Sequence, residues 1–457
     1  MVQVEVVATE ELGDRSYLAH DGRVAVVIDP QRDIDRVEAV LGQLNVRCVL
    51  VLETHIHNDY VSGGYQLAKA TGADYAVSAH DAVDFDRNPV RDGDELTAGS
   101  MTVRVVATPG HTDHHLSYVI SDGDGAPVVF SGGSLLYGSV GRTDLVDPAR
   151  TEELAHAQYH SAHKLAALLP GSAGVFPTHG FGGFCSAGPA GKGSQGTLAD
   201  ELKGNDVLTE PDENRFVERL VAGLTAHPAY YVHMGARNRG GPAPIDLSTP
   251  ESVTPEQLRE RITAGEWVVD LRDRTAYAAD HVAGTIGIGL SMQFATWLGW
   301  LIPWGTPLTL IGRSAQQVAD AQRQLVRIGI DHLAGHALGE PENLAATGQR
   351  SSYPVASFDD LADRTPDDDG VVLDVRRDDE WATSHIPGAL HIPLHDLLHR
   401  LDEVPDTPVW VHCAAGYRAS IAAGLLDRAG HDVVCVDDAY AHAEDLGLVT
   451  VTAGADR

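Results

Sequence analysis

The sequence predicts an α/β protein in which a large N-terminal domain is followed by two small parallel-sheet domains. Residues 1–240 alternate short apolar runs with helical patterns, and the breaker cluster Arg239-Gly240-Gly241-Pro242-Ala243-Pro244 closes that region. The remainder contains one βα pattern written twice. A chain of 457 residues is also too long for one core and suggests about three domains.

Taken in order, the N-terminal strand candidates are Val24–Ile28, Cys48–Leu52, Val103–Ala107, Val128–Ser131 and Gly174–Pro177. The last four end directly before His, Pro-Gly-His, Gly-Gly or His-containing turns, where loops on a rigid scaffold carry function. Helical patterns cover Ile34–Leu44, Val61–Thr71, Thr151–Leu169 and Asp212–Leu224. Each later copy runs from a strand with Asp-x-Arg (Asp270-Leu271-Arg272, Asp374-Val375-Arg376) through His281-Val282-Ala283-Gly284 or His385-Ile386-Pro387-Gly388. Each then ends in a strand, a glycine-containing loop and a helix. With a second boundary between Leu338 and Tyr353, the expected domains are 1–245, 250–345 and 353–455.

The balance of 33 basic against 65 acidic residues, a net charge of −32, argues against nucleic acid and anionic membranes as partners. The acidic residues are dispersed, as on a solvated surface. No run approaches the roughly 18 apolar residues of a membrane span, and Met1–Glu5 lacks a signal-peptide pattern. Cys48, Cys185, Cys413 and Cys435 lie far apart, which implies reduced thiols and a cytoplasmic protein. Cys48 and Cys435 read as core residues in apolar strands, and Cys185 as a loop cysteine or a thiol at a substrate mouth shaped by Gly180–Gly183 and Ser186–Gly196.

The segment Thr54-His55-Ile56-His57-Asn58-Asp59-Tyr60 follows the apolar run Val49–Leu52. Two imidazoles and a carboxylate on such a turn can converge on one transition metal, where a bland reading has them capping the next helix. Further candidates follow in chain order: Pro109-Gly110-His111-Thr112-Asp113-His114-His115, Gly132-Gly133 and Thr178-His179-Gly180. This set resembles the metallo-β-lactamase superfamily, which implies an αββα sandwich. Asp29-Pro30, Gly141-Arg142-Thr143-Asp144-Leu145 and Tyr231, Met234, Asn238 and Gly241-Pro242 are similar to the persulfide dioxygenase branch, often fused to rhodanese domains.

In that branch iron is held by positions equivalent to His55, His111 and an aspartate where this chain has Gly133; Tyr60 replaces a histidine of the wider superfamily. The resemblance therefore leaves three outcomes: an Fe(II) site with water in the vacant position, a Zn(II) site completed by His57, His114 or His115, or a metal-free scaffold. His55, His57 and His111 form the expected ligand set for one Fe(II) or Zn(II), with Asp59 as base in a hydrolase. His179, Arg142 and Tyr60 are expected on the substrate, and Gly133→Asp should raise iron affinity if the triad has merely decayed, whereas unchanged binding would mean that another group already fills that position.

In Trp410-Val411-His412-Cys413-Ala414-Ala415-Gly416-Tyr417-Arg418 a cysteine closes a strand before a helix. Backbone N–H groups, the helix start and Arg418 would steady a thiolate or persulfide there. The Cys-x4-Arg spacing resembles rhodanese sulfurtransferases, with Asp374, Arg376, Glu380, His385 and Gly388 in the rest of that pattern. Cys413 and Arg418 are the expected catalytic residues, with Gly416 shaping the substrate loop. Gly312 stands at the cysteine position of the first copy, which implies a structural role, and Trp297, Trp300, Leu301, Ile302 and Trp304 form an apolar cluster beside it.

The expected activity is sulfane-sulfur transfer through Cys413, from a low-molecular-weight thiol persulfide such as glutathione persulfide or from thiosulfate. It is coupled to a persulfide dioxygenase, with a glyoxalase II-type zinc thioester hydrolase or a metal-poor scaffold as alternatives. The pattern allows a homodimer.

Overall fold

A computed structural model describes residues 2–123, 125–188, 196–346, 348–364 and 370–451. The chain divides into two compact units, Met1–Asp246 with Arg323–Gly329, and Leu247–Gln322 with Ile330–Arg457.

The first unit is an αββα sandwich. Its first sheet takes the order β1 (Gln3–Thr9), β2 (Asp14–His20), β3 (Val24–Ile28), β4 (Arg47–Leu52), β5 (Asp74–Ser78), β6 (Asn88–Val90). The second runs β12 (Gly196–Thr197), β11 (Gly174–Pro177), β10 (Val128–Gly132), β9 (Leu116–Ser121), β8 (Met101–Ala107), β7 (Glu95–Ala98). Alternating side chains explain the layers. Tyr17, Val26, Ile28, Leu50 and Leu52 of the first sheet face Val103, Val105, Tyr118, Ile120 and Phe130 of the second. The opposite face of the first sheet, with Leu18, Val27 and Val51, buries Val37 and Leu41 of the helix Asp35–Leu44 and Leu67 of the helix Gly64–Thr71. Helices Thr151–Leu168 and Glu213–Ala222 cover the second sheet. Parallel pairing of β3 with β4 and of β10 with β11 sends their carboxyl ends to one edge of the sandwich. Antiparallel β2 and β9 begin at that same edge. All five strands predicted from sequence form; β1, β2, β5, β6, β7, β9 and β12 were not anticipated.

The second unit contains the duplication. Its first copy has a parallel sheet ordered Ile286–Gly287, Trp267–Asp270, Leu308–Gly312, Gly335–Leu338. The second has Val355–Ala356, Val433–Val436, Val409–His412, Val371–Asp374, Leu390–His391, also parallel. Asp270 pairs with Ile311 and Asp374 with His412, so the register places Gly312 at the Cys413 position. The Asp-x-Arg motif does the same work twice. Arg272 Nη2 lies 2.7 Å from Asp270 Oδ2 and 2.8 Å from the Asp280 carbonyl, while Arg376 Nη2 lies 2.7 Å from Asp374 Oδ2 and 2.7 Å from the Ser384 carbonyl. Each fork ties the first strand to the chain eight residues beyond its arginine, and all four side chains are buried.

The cysteine-less copy is packed along the helix Tyr417–Ala429. Tyr417 Oη donates to the Gly289 carbonyl at 2.9 Å, and Gly424 allows close approach to Tyr277 and Gly287. His281 Nε2 meets Asp427 Oδ2 at 3.1 Å. Trp297, Trp300, Leu301 and Ile302 are buried as the sequence suggests; Trp304 remains 38% exposed. Trp300 stacks on His395 of the second copy, with ring centroids 4.8 Å apart. Among the described residues no helix is long and apolar enough to cross a membrane.

Because each fork is a buried charge pair, removing one carboxylate strands a guanidinium. Asp270→Asn and Asp374→Asn should each destabilise the second unit by about 3–5 kcal/mol, and by similar amounts, as read from the midpoint of urea unfolding.

Candidate metal centre and cysteine loop

The edge where the N-terminal strands converge gathers a buried polar cluster. The turn after β4 supplies His55, His57 and Asp59, and the turn after β8 supplies His111. His179 follows β11, and Asp14 opens β2. Asp29 follows β3 with a left-handed φ of 48°, a conformation a non-glycine residue adopts only under constraint. The constraint is visible. Its Oδ1 accepts from the Thr54 backbone N–H at 2.7 Å, and its Oδ2 accepts from the hydroxyls of Thr54 at 2.7 Å and Thr178 at 2.5 Å. One carboxylate thus braces the ends of β3, β4 and β11.

These bonds set the tautomers. Thr54 spends its proton on Asp29, so its oxygen accepts from His55 Nδ1–H at 2.8 Å, and the His55 Nε2 lone pair stays free. His111 Nδ1–H donates to the Arg142 carbonyl at 2.7 Å, freeing its Nε2 as well. His179 Nδ1–H lies 2.8 Å from Asp14 Oδ1 and 3.2 Å from Asp59 Oδ2, so its Nε2 also turns inward. His55, His111 and His179 offer ligand atoms within 4.8 Å of one another. The two nitrogens His55 Nε2 and His179 Nε2 stand 3.3 Å apart. Two imidazole nitrogens on one tetrahedral zinc at about 2.0–2.1 Å would be separated by about 3.3 Å. A proton or a cation must lie between them, and the donor set fits a metal ion.

Electrostatics distinguishes the members. Burial pushes His55 well below its ordinary pKa, with His57 and His111 adding to the effect. Burial and then His179 push His111 down to about 3, so both lone pairs are available at neutral pH. Burial opposes charge on His179 too, but Asp59 and Asp14 raise its pKa well above the ordinary value, giving an imidazolium whose Nε2–H can bridge to His55. Burial also raises Asp14, with Asp59 adding to it, whereas His179 overcomes burial to hold Asp59 ionised. Asp59 Oδ1 is buried with no hydrogen-bond partner among the described residues.

Several predicted site residues sit elsewhere than expected. His57 does not join His55 and His111 in one donor group, because its Nε2 turns to Glu53 at 3.2 Å and Asp29 at 3.4 Å, but it does offer a ligand atom in a second buried group with Asp59 and His179. His179 takes that place beside the other two, rather than standing free for substrate. Tyr60 is fully buried, stacked on His57 and bonded to His57 Nε2 at 3.0 Å, which leaves it no surface for a substrate. Arg142 is locked by Asp144, the Phe184 carbonyl and the Thr225 carbonyl, so its contribution is the backbone oxygen that orients His111. His115 accepts from Gly133 N–H at 3.0 Å and donates to Thr108, which uses both nitrogens; His114 is exposed against Asp81. The Cys185 thiol faces Tyr231 Oη at 3.9 Å, and burial, then Asp59, raises its pKa so that it stays protonated. Of the Ser186–Gly196 mouth, residues 189–195 lie outside the described residues.

Gly133 does more than omit a carboxylate. A Cβ there would lie 2.2 Å from His111 Cδ2, and one at Gly132 would lie 2.4 Å from His115 Nε2. An aspartate at 133 thus displaces the histidine it was expected to assist. Sequence reasoning missed Asp14 and Glu53; for Glu53 the available signal was a carboxylate directly after the apolar run Val49–Leu52, and Asp14 carried none.

In the second unit Cys413 follows the strand Val409–His412 and is 2% exposed. Gly416 caps the following helix at φ 83°, and a Cβ there would lie 1.7 Å from Asp437 Oδ1, so only glycine closes this loop. Arg418 points Nη1 and Nη2 at the two Glu380 oxygens, 2.6 and 2.7 Å away.

Comparison with known proteins gives two family matches, the metallo-beta-lactamase superfamily over residues 12–179 and the rhodanese-like domain over residues 357–442. Human persulfide dioxygenase ETHE1, mitochondrial, is 31% identical over 175 residues, 38% of this chain and 63% of that protein. A hydroxyacylglutathione hydrolase of Pseudomonas putida (strain W619) is 40% identical over 122 residues, 26% of this chain and 46% of that protein. The probable polyketide biosynthesis zinc-dependent hydrolase BaeB of Bacillus velezensis is 30% identical over 168 residues, 35% of this chain and 68% of that protein. A metallo-beta-lactamase structure from Staphylococcus aureus subsp. aureus COL superposes with TM-score 0.66 at 27% identity, over 74% of this chain and 99% of its own. The chain thus spans less than two thirds of the persulfide dioxygenase and of the hydroxyacylglutathione hydrolase.

Burial opposes charge on His57, but Asp29 and Glu53 outweigh it and push its pKa up from 6.5 to about 9. The resulting stabilisation is complete below pH 6.5 and lost as pH rises through about 9. In chelator-treated protein, the stability advantage over His57→Gln should shrink by roughly 3 kcal/mol across that window, as followed by chemical unfolding at each pH.

Proposed function

Since the chain belongs to the metallo-β-lactamase superfamily and carries a rhodanese-like domain near its C-terminus, we propose that it is a sulfur-metabolism enzyme. It joins a metal-dependent reaction on a low-molecular-weight persulfide to sulfane-sulfur transfer through Cys413. The observation that carries this reading is the convergence of three tautomer-fixed imidazoles, His55, His111 and His179, on one point. The persulfide dioxygenase relatives support the substrate class. The domain division 1–245, 250–345 and 353–455 belongs to this reading, with the metal centre in the first and Cys413 in the third.

His55, His111 and His179 would hold one Fe(II) or Zn(II). When bound, the ion supplies Lewis acidity and positions open to a sulfur ligand and a small molecule. The protein's part is orientation. Thr54, backed by Asp29, fixes His55; the Arg142 carbonyl fixes His111; Asp14 and Asp59 fix His179 and strengthen it as a donor. His179 would give up its Nε2 proton to serve as a donor to such an ion. His57, kept charged by Asp29 and Glu53, balances carboxylates behind the site.

The imidazole-only donor set and the absence of a carboxylate at Gly133 favour a second reading, a zinc-dependent thioester hydrolase, which the hydroxyacylglutathione hydrolase relatives also support. Oxygen uptake with glutathione persulfide decides between them: loaded iron without oxygen consumption sinks the dioxygenase.

In the sulfurtransferase half, a Cys413 thiolate takes the outer sulfur of a persulfide and passes it to an acceptor thiolate. The helix Tyr417–Ala429 starts directly after the loop, and its N-terminus would favour negative charge there.

Purified protein should bind one divalent ion and release about one proton as it does so at neutral pH, measurable by titration calorimetry in buffers of different ionisation enthalpy. His179→Ala and His111→Ala should weaken that binding at least tenfold, at the lower end of what an outer-sphere partner costs. His57→Gln should retain it. Separately, Cys413→Ser should abolish sulfur transfer from persulfide or thiosulfate and leave metal content unchanged; transfer surviving that change would remove Cys413 from the mechanism.

A further inference from the structure

The charges around Cys413 are arranged in matched pairs. Arg418, the one cation within Cys413–Arg418, is held by both oxygens of Glu380 at 2.6 and 2.7 Å. That carboxylate is itself fixed, since Glu380 Oε2 accepts from the Arg377 backbone N–H at 3.0 Å and closes the helix Asp378–Thr383 as a capping box. Burial opposes ionisation of Glu380, yet Arg418 holds its pKa below the ordinary value, so the pair is charged on both sides. Behind the loop Arg376 is spent on Asp374, and Arg274 of the first copy reaches Asp437 at 2.8 Å. Ala414, Ala415, Gly416 and Tyr417 add no charge. Every guanidinium here already has its carboxylate, in a chain of net charge −32.

Resting on the sulfurtransferase reading above, we propose that Glu380 sets the donor specificity of the Cys413 loop. By occupying Arg418 it makes the loop a site for alkyl persulfides and a poor one for thiosulfate.

The two donors differ by one unit of charge along the same reaction. With a persulfide, the Cys413 thiolate attacks the outer sulfur of R–S–S⁻. A Cys413–S bond forms, the R–S to outer-sulfur bond breaks, and R–S⁻ leaves with the bonding pair, for a total charge of −2 throughout. With thiosulfate the leaving group is sulfite, and the total is −3. Neither route needs an external oxidant or reductant. Backbone N–H groups can steady a terminal sulfur in either case, but a second negative charge calls for a free cation. An arginine fork already closed by a carboxylate offers none. Glu380 is therefore a positioning residue, acting on substrate only through Arg418.

The test is single-turnover sulfuration of Cys413 in the full chain, followed by intact mass as the gain of one sulfur atom, with hydroxyethyl persulfide and thiosulfate as donors. Wild type should favour the persulfide by about tenfold or more, the size of one charge-assisted contact. Glu380→Gln keeps the helix cap's acceptor and releases Arg418, so the thiosulfate-to-persulfide ratio should rise about tenfold. Glu380→Asp keeps the charge and should leave the ratio near wild type. Should the glutamine variant fail to fold, Ala415→Lys adds a cation at an exposed loop position and should raise the same ratio. Equal donor rates in wild type, or a ratio that stays within twofold in every soluble variant that gains a free cation, would overturn the proposal. Failure of both donors to sulfurate Cys413 in wild type would instead overturn the sulfurtransferase reading itself.

Discussion

The N-terminal site depends on the Asp29 carboxylate. Its two oxygens gather the Thr54 backbone N–H, two threonine hydroxyls and the charged face of His57, and so bind three strand ends to one point. Burial of an aspartate is costly, and here the charged form persists because His57 and the hydrogen bonds outweigh that cost. The turns that carry His55 and His179 inherit their geometry from that anchor. The orientation of the His55 ring is set by a hydroxyl whose own proton is already committed, and the position of His179 follows from Thr178 next to it. The left-handed backbone at Asp29 is tolerated because four groups hold it there.

The second unit solves a different problem with similar means. A short loop must present a thiol without burying an unpaired charge, so arginines are distributed one to each carboxylate. The Asp-x-Arg fork, used identically in both copies, shows that this pairing is architectural as well as chemical. The copy without a cysteine keeps its fork and lies along the helix behind the active loop from Tyr417 to Asp427. Duplication has left one copy with a cysteine at the strand end and the other packed along the helix behind it.

Much of this was legible in the residues. The αββα layers were legible through the resemblance that the histidine and glycine motifs carry, and the duplication through the repeated Asp-x-Arg and His-x-x-Gly patterns. His55, His111 and His179 were all recognisable as polar residues at strand ends. The division of labour among the histidines was not legible, because it depends on which imidazole nitrogen is spent. His57 and His55 differ by two positions in sequence, yet one faces Glu53 and Asp29 while the other faces His179. Nothing local separates them; Glu53 and Asp14 do, and both belong to strands whose polar ends resemble ordinary turn residues. Arg142 and Tyr60 looked like substrate contacts because they are polar residues near a motif. Their partners, Asp144, Phe184, Thr225 and Asp29, become neighbours only in the folded chain.

The fit of His111 against Gly133 has an evolutionary consequence. The glycine's missing side chain is occupied by the imidazole ring, and its backbone N–H is committed to His115. A single change to aspartate would meet an occupied space, and the ring cannot retreat without releasing the Arg142 carbonyl. Position 133 is therefore closed to any side chain in a single step. A carboxylate reaches this point only across a valley of at least two coupled changes, so one-step variation is confined to positions that leave the His111 ring in place.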